Sequence, residues 1–86
     1  MATLRLFAAA REAAGTGRAA VDGATVGDVL DSARARFGEQ FAAVLVRCRV
    51  WVNGEPAVDG QPVGADDEVA VLPPVSGGDG RGSAAP

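Results

Sequence analysis

Two adjacent glycines near the end of the chain, Gly77 and Gly78, are the residues whose setting best suits chemistry. They follow an apolar run and the segment Pro-Pro-Val-Ser, which consists of Pro73, Pro74, Val75 and Ser76. The prolines favour an extended backbone, and the glycines add backbone without side chains. A bare Gly-Gly pair is also typical of a flexible linker. In this context it predicts an arm that enters a narrow active site of a partner and presents a carboxylate there.

The other reactive side chains predict structural roles. Cys48 is the only thiol, and it shares a strand face with Val50 and Val52. This pattern favours a buried structural cysteine, because reactive thiols need an exposed electropositive setting. The acidic run at residues 66–68 favours a solvated loop, because metal-binding loops space their carboxylates around the ion. We therefore expect no metal site.

The composition excludes several classes of function. The 86 residues include 11 Asp+Glu and 8 basic residues, all arginine, and no histidine. Without histidine, Ser-His and Cys-His catalysis are impossible, and a zinc site lacks its usual ligands. The net charge of -3 argues against binding to a nucleic-acid backbone. One cysteine, no secretory signal and no apolar run near 20 residues predict a small cytoplasmic domain that does no chemistry alone.

Two aromatic residues are candidates for a partner surface. Phe7 and Trp51 fall on the strand faces opposite the predicted core residues. Large aromatics on the outer face of a small sheet favour an interface with another protein. The alternative is that loops or a helix over residues 39–46 cover them.

The hydrophobic periodicity predicts the elements that position these residues. Alternation predicts strands over residues 3–7, 18–22, 48–53, 55–58 and 68–72, with Asn53-Gly54 as a hairpin turn. Helical spacing predicts a short helical turn over residues 8–14, a long helix over 25–37 and a second helix over 39–46. The apolar face of the long helix consists of Val26, Val29, Leu30, Ala33 and Phe37.

The order of these elements predicts an α+β fold. We expect a mixed sheet with the long amphipathic helix packed on one face, and with the first and last strands central and parallel. Thr25 suits the N-cap of that helix, and Gly38 suits its C-terminal cap. Residues 1–72 then form the folded domain and residues 73–78 the extended arm. Residues 79–86, which contain no large apolar residue, are predicted to be a disordered tail.

Taken together, these segments resemble the MoaD/ThiS sulfur-carrier family, and within it the small subunit of molybdopterin synthase. The matching segments are Leu6-Phe7-Ala8, Arg11-Glu12 with Gly15, Thr25-Val26, Val52-Asn53-Gly54, Asp67-Glu68-Val69-Ala70 and residues 72–78. The double proline is more typical of the molybdopterin branch than of the thiamine or cysteine carriers. The resemblance implies a ubiquitin-like β-grasp fold. The roles of Arg11 and Glu12 stay open.

The resemblance also implies a mechanism. A partner adenylyltransferase uses ATP to activate the carboxylate of Gly78, and a sulfur donor displaces AMP to leave a thiocarboxylate. The large subunit of molybdopterin synthase then transfers this sulfur to cyclic pyranopterin monophosphate. The carrier binds no cofactor and has no catalytic residues of its own. In this scheme Gly77 is the obligatory small neighbour, residues 73–76 direct the arm, and Phe7 and Trp51 belong to the docking surface.

The chain departs from the family pattern because eight residues follow Gly78. A glycine in a peptide bond has no carboxylate to adenylate. Three explanations stay open: a processing protease cuts between Gly78 and Asp79, the tail was added to the natural sequence, or the chain is a non-catalytic interaction module blocked by its tail. Two other functions also stay open: a sulfur carrier of the thiamine, cysteine or tungsten-cofactor pathway, and a protein modifier that forms an isopeptide through Gly78.

Overall fold

The chain forms five strands and three helices within residues 1–73, which are the residues that the computed structural model describes. In chain order they are β1 (Ala2–Leu6), α1 (Ala8–Ala14), β2 (Arg18–Val21), α2 (Val26–Phe37), α3 (Glu39–Leu45), β3 (Arg49–Val52), β4 (Glu55–Pro56) and β5 (Glu68–Leu72). The predicted elements are all present. The segment expected to be a helical turn is a seven-residue helix, α1.

The strands form one mixed sheet in the order β2-β1-β5-β3-β4. β1 runs parallel to β5, whereas the other neighbouring pairs are antiparallel. The last strand of the fold is therefore its central strand, with β1 beside it. This topology confirms the predicted α+β class and the parallel pairing of the first and last strands.

The helices pack on one face of the sheet and enclose a small core. Inward-facing strand residues alternate with outward-facing ones, as the two-residue period of a strand requires. The buried residues of β1 and β5 are Ala2, Leu4, Leu6, Val69 and Val71. Phe41 of α3 is fully buried and is the largest side chain of this core.

α2 agrees with its prediction at both ends. The Thr25 hydroxyl accepts a hydrogen bond from the backbone N–H of Asp28 at 3.2 Å, which satisfies one of the free donors of the first turn. Gly38 ends the helix with a φ of 94°, in the region that favours glycine. On the predicted apolar face only Phe37 is not fully buried. It lies edge-on to Phe41, with ring centroids 5.3 Å apart.

The Asn53-Gly54 turn joins β3 to the short edge strand β4. Both residues have positive φ, 51° and 85°, as the two central residues of a type I′ turn require. Pro56 lies in β4 at the edge of the sheet, where no ladder hydrogen bond from its nitrogen is needed. Among residues 1–73, no helix has the length and apolar character to cross a bilayer.

Candidate functional site

The arm begins at the central strand of the sheet. β5 ends at Leu72, and Pro73 lies on the helix side, where it lines a shallow cleft with Ala9 of α1 and Val44 of α3. The remaining predicted arm residues lie outside the described residues; they are Pro74, Val75, Ser76, Gly77 and Gly78. Gly78 is six positions after Leu72 in the sequence, and a chain of that length spans at most about 20 Å. A partner that binds Gly78 must therefore approach this end of the sheet.

The side of the sheet opposite the helices is here called the outer face. Its residues are Thr3, Arg5, Phe7, Arg18, Ala20, Arg49, Trp51, Pro56, Glu68, Ala70 and Leu72. One row of it runs across all five strands, because Arg5 pairs with both Arg18 and Ala70, Ala70 pairs with Trp51, and Trp51 pairs with Pro56. The outer face therefore carries two arginines on β1 and β2 and apolar residues from Ala70 to Pro56, with Arg49 beside Leu72.

The structure places both predicted aromatic residues on the outer face. Phe7 continues β1 with an extended backbone and is 37% exposed. The Arg5 guanidinium lies 5.5 Å from the centroid of its ring. Trp51 is half-buried in β3. The alternative was that loops or the helix over residues 39–46 cover these side chains. α3 packs against α1 and α2 on the other side of the sheet, whereas Ala57 and Asp59 of the loop after β4 line a cleft with Trp51.

A cluster of side-chain hydrogen bonds connects the β3–β4 turn to the start of β5. The Asn53 Nδ2 group donates to Asp67 Oδ1 at 2.9 Å, and Asn53 Oδ1 accepts from the backbone N–H of Glu68 at 3.0 Å. The Gly64 backbone N–H donates to Asp67 Oδ2 at 2.8 Å. The bonds from Asn53 and from Gly64 lower the pKa of the Asp67 carboxyl, because they favour its charged form. The motifs Val52-Asn53-Gly54 and Asp67-Glu68 are thus the two halves of one structural contact.

Arg11 supports the connection between β1 and β2. Its Cδ and Nε atoms lie against Gly17, where an added Cβ would be only 3.4 Å from each. The carbonyl of Arg11 accepts the backbone N–H of Gly15, which ends α1 with a φ of 80°. Arg11 and Gly15 of the motif therefore have a structural role in this turn. Glu12 is exposed on α1.

The remaining candidate groups do not form a reactive site. Cys48 is half-buried, its thiol donates to the Val44 carbonyl oxygen at 3.3 Å, and burial raises the pKa of that thiol. A raised pKa lowers the thiolate fraction, which is the reactive form. The acidic run is divided, because Asp67 bonds to Asn53 and Glu68 pairs with Arg5 at 3.2 Å. Within residues 1–73 no group of three potential metal ligands is present.

The arginines of the outer face were missed by the sequence reasoning. Arg5 and Arg18 come into direct register across β1 and β2, and Arg49 lies beside Leu72. Each occupies an alternating outward position of a predicted strand. Their proximity, however, depends on strand order and register, which the sequence pattern alone does not define.

Comparison with known proteins identifies the family. The ThiS family matches residues 4–78. The small archaeal modifier protein 1 of Haloferax volcanii is 42% identical over 84 residues, which cover 86% of this chain and 97% of that protein. The crystal structure of that modifier from the same organism has a TM-score of 0.74 at 40% identity, covering 88% of this chain and 97% of the other. A putative molybdopterin converting factor, subunit 1, from Pyrococcus furiosus has a TM-score of 0.73 at 25% identity, with 86% and 97% covered. The chain therefore belongs to the ThiS family of ubiquitin-like sulfur carriers and modifiers.

Proposed function

We propose that this chain is the sulfur-carrier subunit of a molybdopterin synthase. The observation that carries the proposal is the segment Leu-Pro-Pro-Val-Ser-Gly-Gly at residues 72–78, which directly follows the central strand and ends where the family match ends. A relative of the same fold, from Pyrococcus furiosus, carries the name of a molybdopterin converting factor. Cytoplasmic location is part of this proposal.

The chemistry takes place at the carboxylate of Gly78. A carboxylate is a poor electrophile, so the partner adenylyltransferase converts it with ATP into an acyl adenylate and releases pyrophosphate. A sulfur donor then attacks the acyl carbon and AMP leaves, which gives the thiocarboxylate. The large subunit of the synthase uses this sulfur on cyclic pyranopterin monophosphate. The chain has no histidine or lysine, so these partners supply the bases and the oxyanion stabilisation.

The proposal requires a processing step before activation. Gly78 is followed by Asp79, so the bond between them has to be hydrolysed. Water adds across this amide bond, which frees the Gly78 carboxylate and the amine of Asp79. A processing protease is therefore a partner of this carrier wherever residues 79–86 are part of the natural chain.

In this proposal, contact between the domain and its partner enzyme positions the arm in the partner's active site. Phe7 and Trp51 on the outer face contact the partner, and Pro73, on the helix side at the end of β5, begins the arm that the partner binds. Residues 74–76 direct the backbone, and Gly77 allows it to pass a narrow entrance because it has no side chain.

The test compares two forms of the chain. One ends at Gly78 and the other is the full 86-residue chain; each is mixed with the adenylyltransferase, ATP and a sulfide source. We expect the form ending at Gly78 to gain the mass of one oxygen replaced by sulfur, and the full chain to stay unchanged. A Gly77→Trp variant of the shorter form should keep the fold and lose sulfur transfer in the synthase. The proposal fails if the form ending at Gly78 is not activated.

A second function is favoured by the relative from Haloferax volcanii, which is named a modifier protein. The same acyl adenylate of Gly78 can be attacked by a lysine amine of a target protein, which forms an isopeptide bond and releases AMP. This chain has no lysine, so its own side chains offer no such acceptor. Peptides in which a target lysine carries the Gly77-Gly78 remnant, found by mass spectrometry in the native cells, would establish this function.

A further inference from the structure

We infer that the outer face docks onto an acidic protein surface with an apolar centre, and that Arg18 and Arg49 set this charge preference. The inference rests on the proposed function, because the partner meant is the adenylyltransferase that receives the arm. It goes further by naming the chemistry of the partner's surface.

The first observation is a pair of like charges in register. Arg5 of β1 lies directly opposite Arg18 of β2. Like charges directly opposite each other destabilise a sheet. Arg5 is compensated by Glu68 at 3.2 Å and by the ring of Phe7. Arg18 is exposed, and no carboxylate of residues 1–73 forms an ion pair with it. No ion pair within residues 1–73 compensates the charge of Arg18, which leaves it available to a partner.

The second observation is an uneven distribution of charge. The whole chain has a net charge of -3. The outward strand positions nevertheless carry Arg5, Arg18 and Arg49 against a single carboxylate, Glu68. Arg49 is exposed like Arg18, and within the described part of the chain it too forms no ion pair. One further carboxylate, Asp59, lines the cleft beside Arg49 and Trp51. The arginines still outnumber the carboxylates here, which favours a partner of opposite charge.

The third observation is the apolar strip between these arginines. In the strand order, Ala70 and Leu72 of β5 separate Arg5 and Arg18 on one side from Arg49 on the other. Trp51 lies on the same strand as Arg49 and pairs with Ala70. Tryptophan and arginine are enriched among residues that dominate binding energy, and charged residues surround rather than fill the centre of an interface. A matching partner surface has an apolar patch with aspartate and glutamate residues around it.

The fourth observation is the position of the arm. Leu72 belongs to the outer face and is also the last residue of β5, from which the arm continues. Arg49 pairs directly with Leu72, so the arm leaves the sheet beside this arginine. Docking of the face and insertion of the arm are therefore compatible in one complex.

The first experiment measures adenylation of the chain ending at Gly78 over a range of carrier and salt concentrations. We expect Arg18→Glu and Arg49→Glu each to raise the KM for the carrier by about tenfold, because charge reversal at an interface slows association and weakens its salt dependence. The kcat at saturating carrier should stay unchanged, since Gly78 is intact. The matched control is Arg34→Glu on α2, which makes the same charge change away from the outer face and should change KM less than twofold.

Folding of the variants is checked in parallel. Arg18→Glu replaces a like-charge pair with an opposite-charge pair beside Arg5, so its urea midpoint should be no lower than that of the wild type. Equal KM values for all three variants and the wild type would overturn the inference. An equal rise in KM for Arg34→Glu would also overturn it, because net charge rather than the outer face would then be responsible.

A second experiment does not depend on the adenylyltransferase. Trp51 is the only tryptophan, so its fluorescence reports on the outer face of the full chain. Poly-L-glutamate is added to the protein at about 0.1 M salt. The Debye length is then about 10 Å, so the carboxylates elsewhere on the protein are largely screened and the arginines of the outer face dominate the interaction. The emission of the wild type and of Arg34→Glu should change, and that of the Arg18→Glu/Arg49→Glu double variant should not. If poly-L-glutamate does not change the emission of the wild type, the inference about the outer face is refuted, even if adenylation succeeds. If the emission changes but the chain ending at Gly78 is not adenylated, the inference about the outer face holds and the proposed function is refuted.

Discussion

At the scale of single residues, the side chain of Asn53 determines how Asp67 titrates. Its Nδ2 group donates to Asp67, and the lowered pKa of Asp67 follows first from this bond and then from the Gly64 N–H. A carboxyl whose pKa is lower in the folded state stabilises the fold above its unfolded pKa of about 4. That contribution is lost as the pH falls through the folded pKa. The hydrogen bonds of Asn53 and Asp67 therefore hold the β3–β4 turn against β5 more weakly at low pH.

The lowered pKa of Asp67 gives a prediction for unfolding in acid. Between about pH 5 and pH 2, the urea midpoint of the wild type should fall more steeply than that of Asp67→Asn, which cannot lose this proton linkage. Asn53→Gly keeps a residue suited to the positive φ of the turn but removes the donor, so its pH profile should lie between the two. Urea unfolding at a series of pH values measures all three proteins. Parallel profiles for the wild type and Asp67→Asn would contradict the role of this cluster.

At the scale of elements, the features that could be predicted from the sequence are those determined by residues close together in the chain. α2 was predicted with its caps because each cap is a local interaction: Thr25 bonds to Asp28 in the first turn, and the N–H of Gly38 bonds to the Arg34 carbonyl in the last. The hairpin was predicted from Asn53-Gly54 for the same reason. The facing of Arg5 and Arg18 was not predicted, because it arises from strand register between segments with a helix between them. The arm motif was visible in the sequence, whereas the positions of the arginines on the outer face became clear only from the structure.

The close approach between the β2–α2 connection and α2 gives a second prediction. A Cβ atom on Gly23 would lie 2.6 Å from the backbone nitrogen of Val29, which donates to the Thr25 carbonyl in the first turn of α2. Gly23→Ala should therefore lower the free energy of unfolding by about 1–3 kcal/mol, because α2 or the connection has to shift. Gly60→Ala is the control, since nothing lies within 4 Å of its added Cβ. Urea unfolding of both variants measures the difference. Equal urea midpoints for Gly23→Ala and Gly60→Ala would contradict the prediction, because the backbone around Gly23 would then shift without cost.

At the scale of the whole molecule, the proposed function assigns folding and activity to different parts of the chain. The buried core runs from Ala2 to Val71, and Phe41 and the inward side of the sheet fill it. The carboxylate that the proposed chemistry needs lies beyond this core, at Gly78. A domain of this kind can present a reactive end to several enzymes without changing its own packing. Cleavage after Gly78 would then control activity alone.

This separation predicts that processing leaves stability unchanged. Since the core of residues 1–73 is complete between Ala2 and Val71, a chain ending at Gly78 should unfold within about 0.5 kcal/mol of the full chain, the usual range for changes outside a core. Urea unfolding followed by the fluorescence of Trp51 measures both forms. The control is a chain ending at Asp67, which lacks the central strand β5 and should not fold. A large loss of stability on removing residues 79–86 would show that these residues contribute to the domain, and cleavage would then alter the fold as well as expose Gly78.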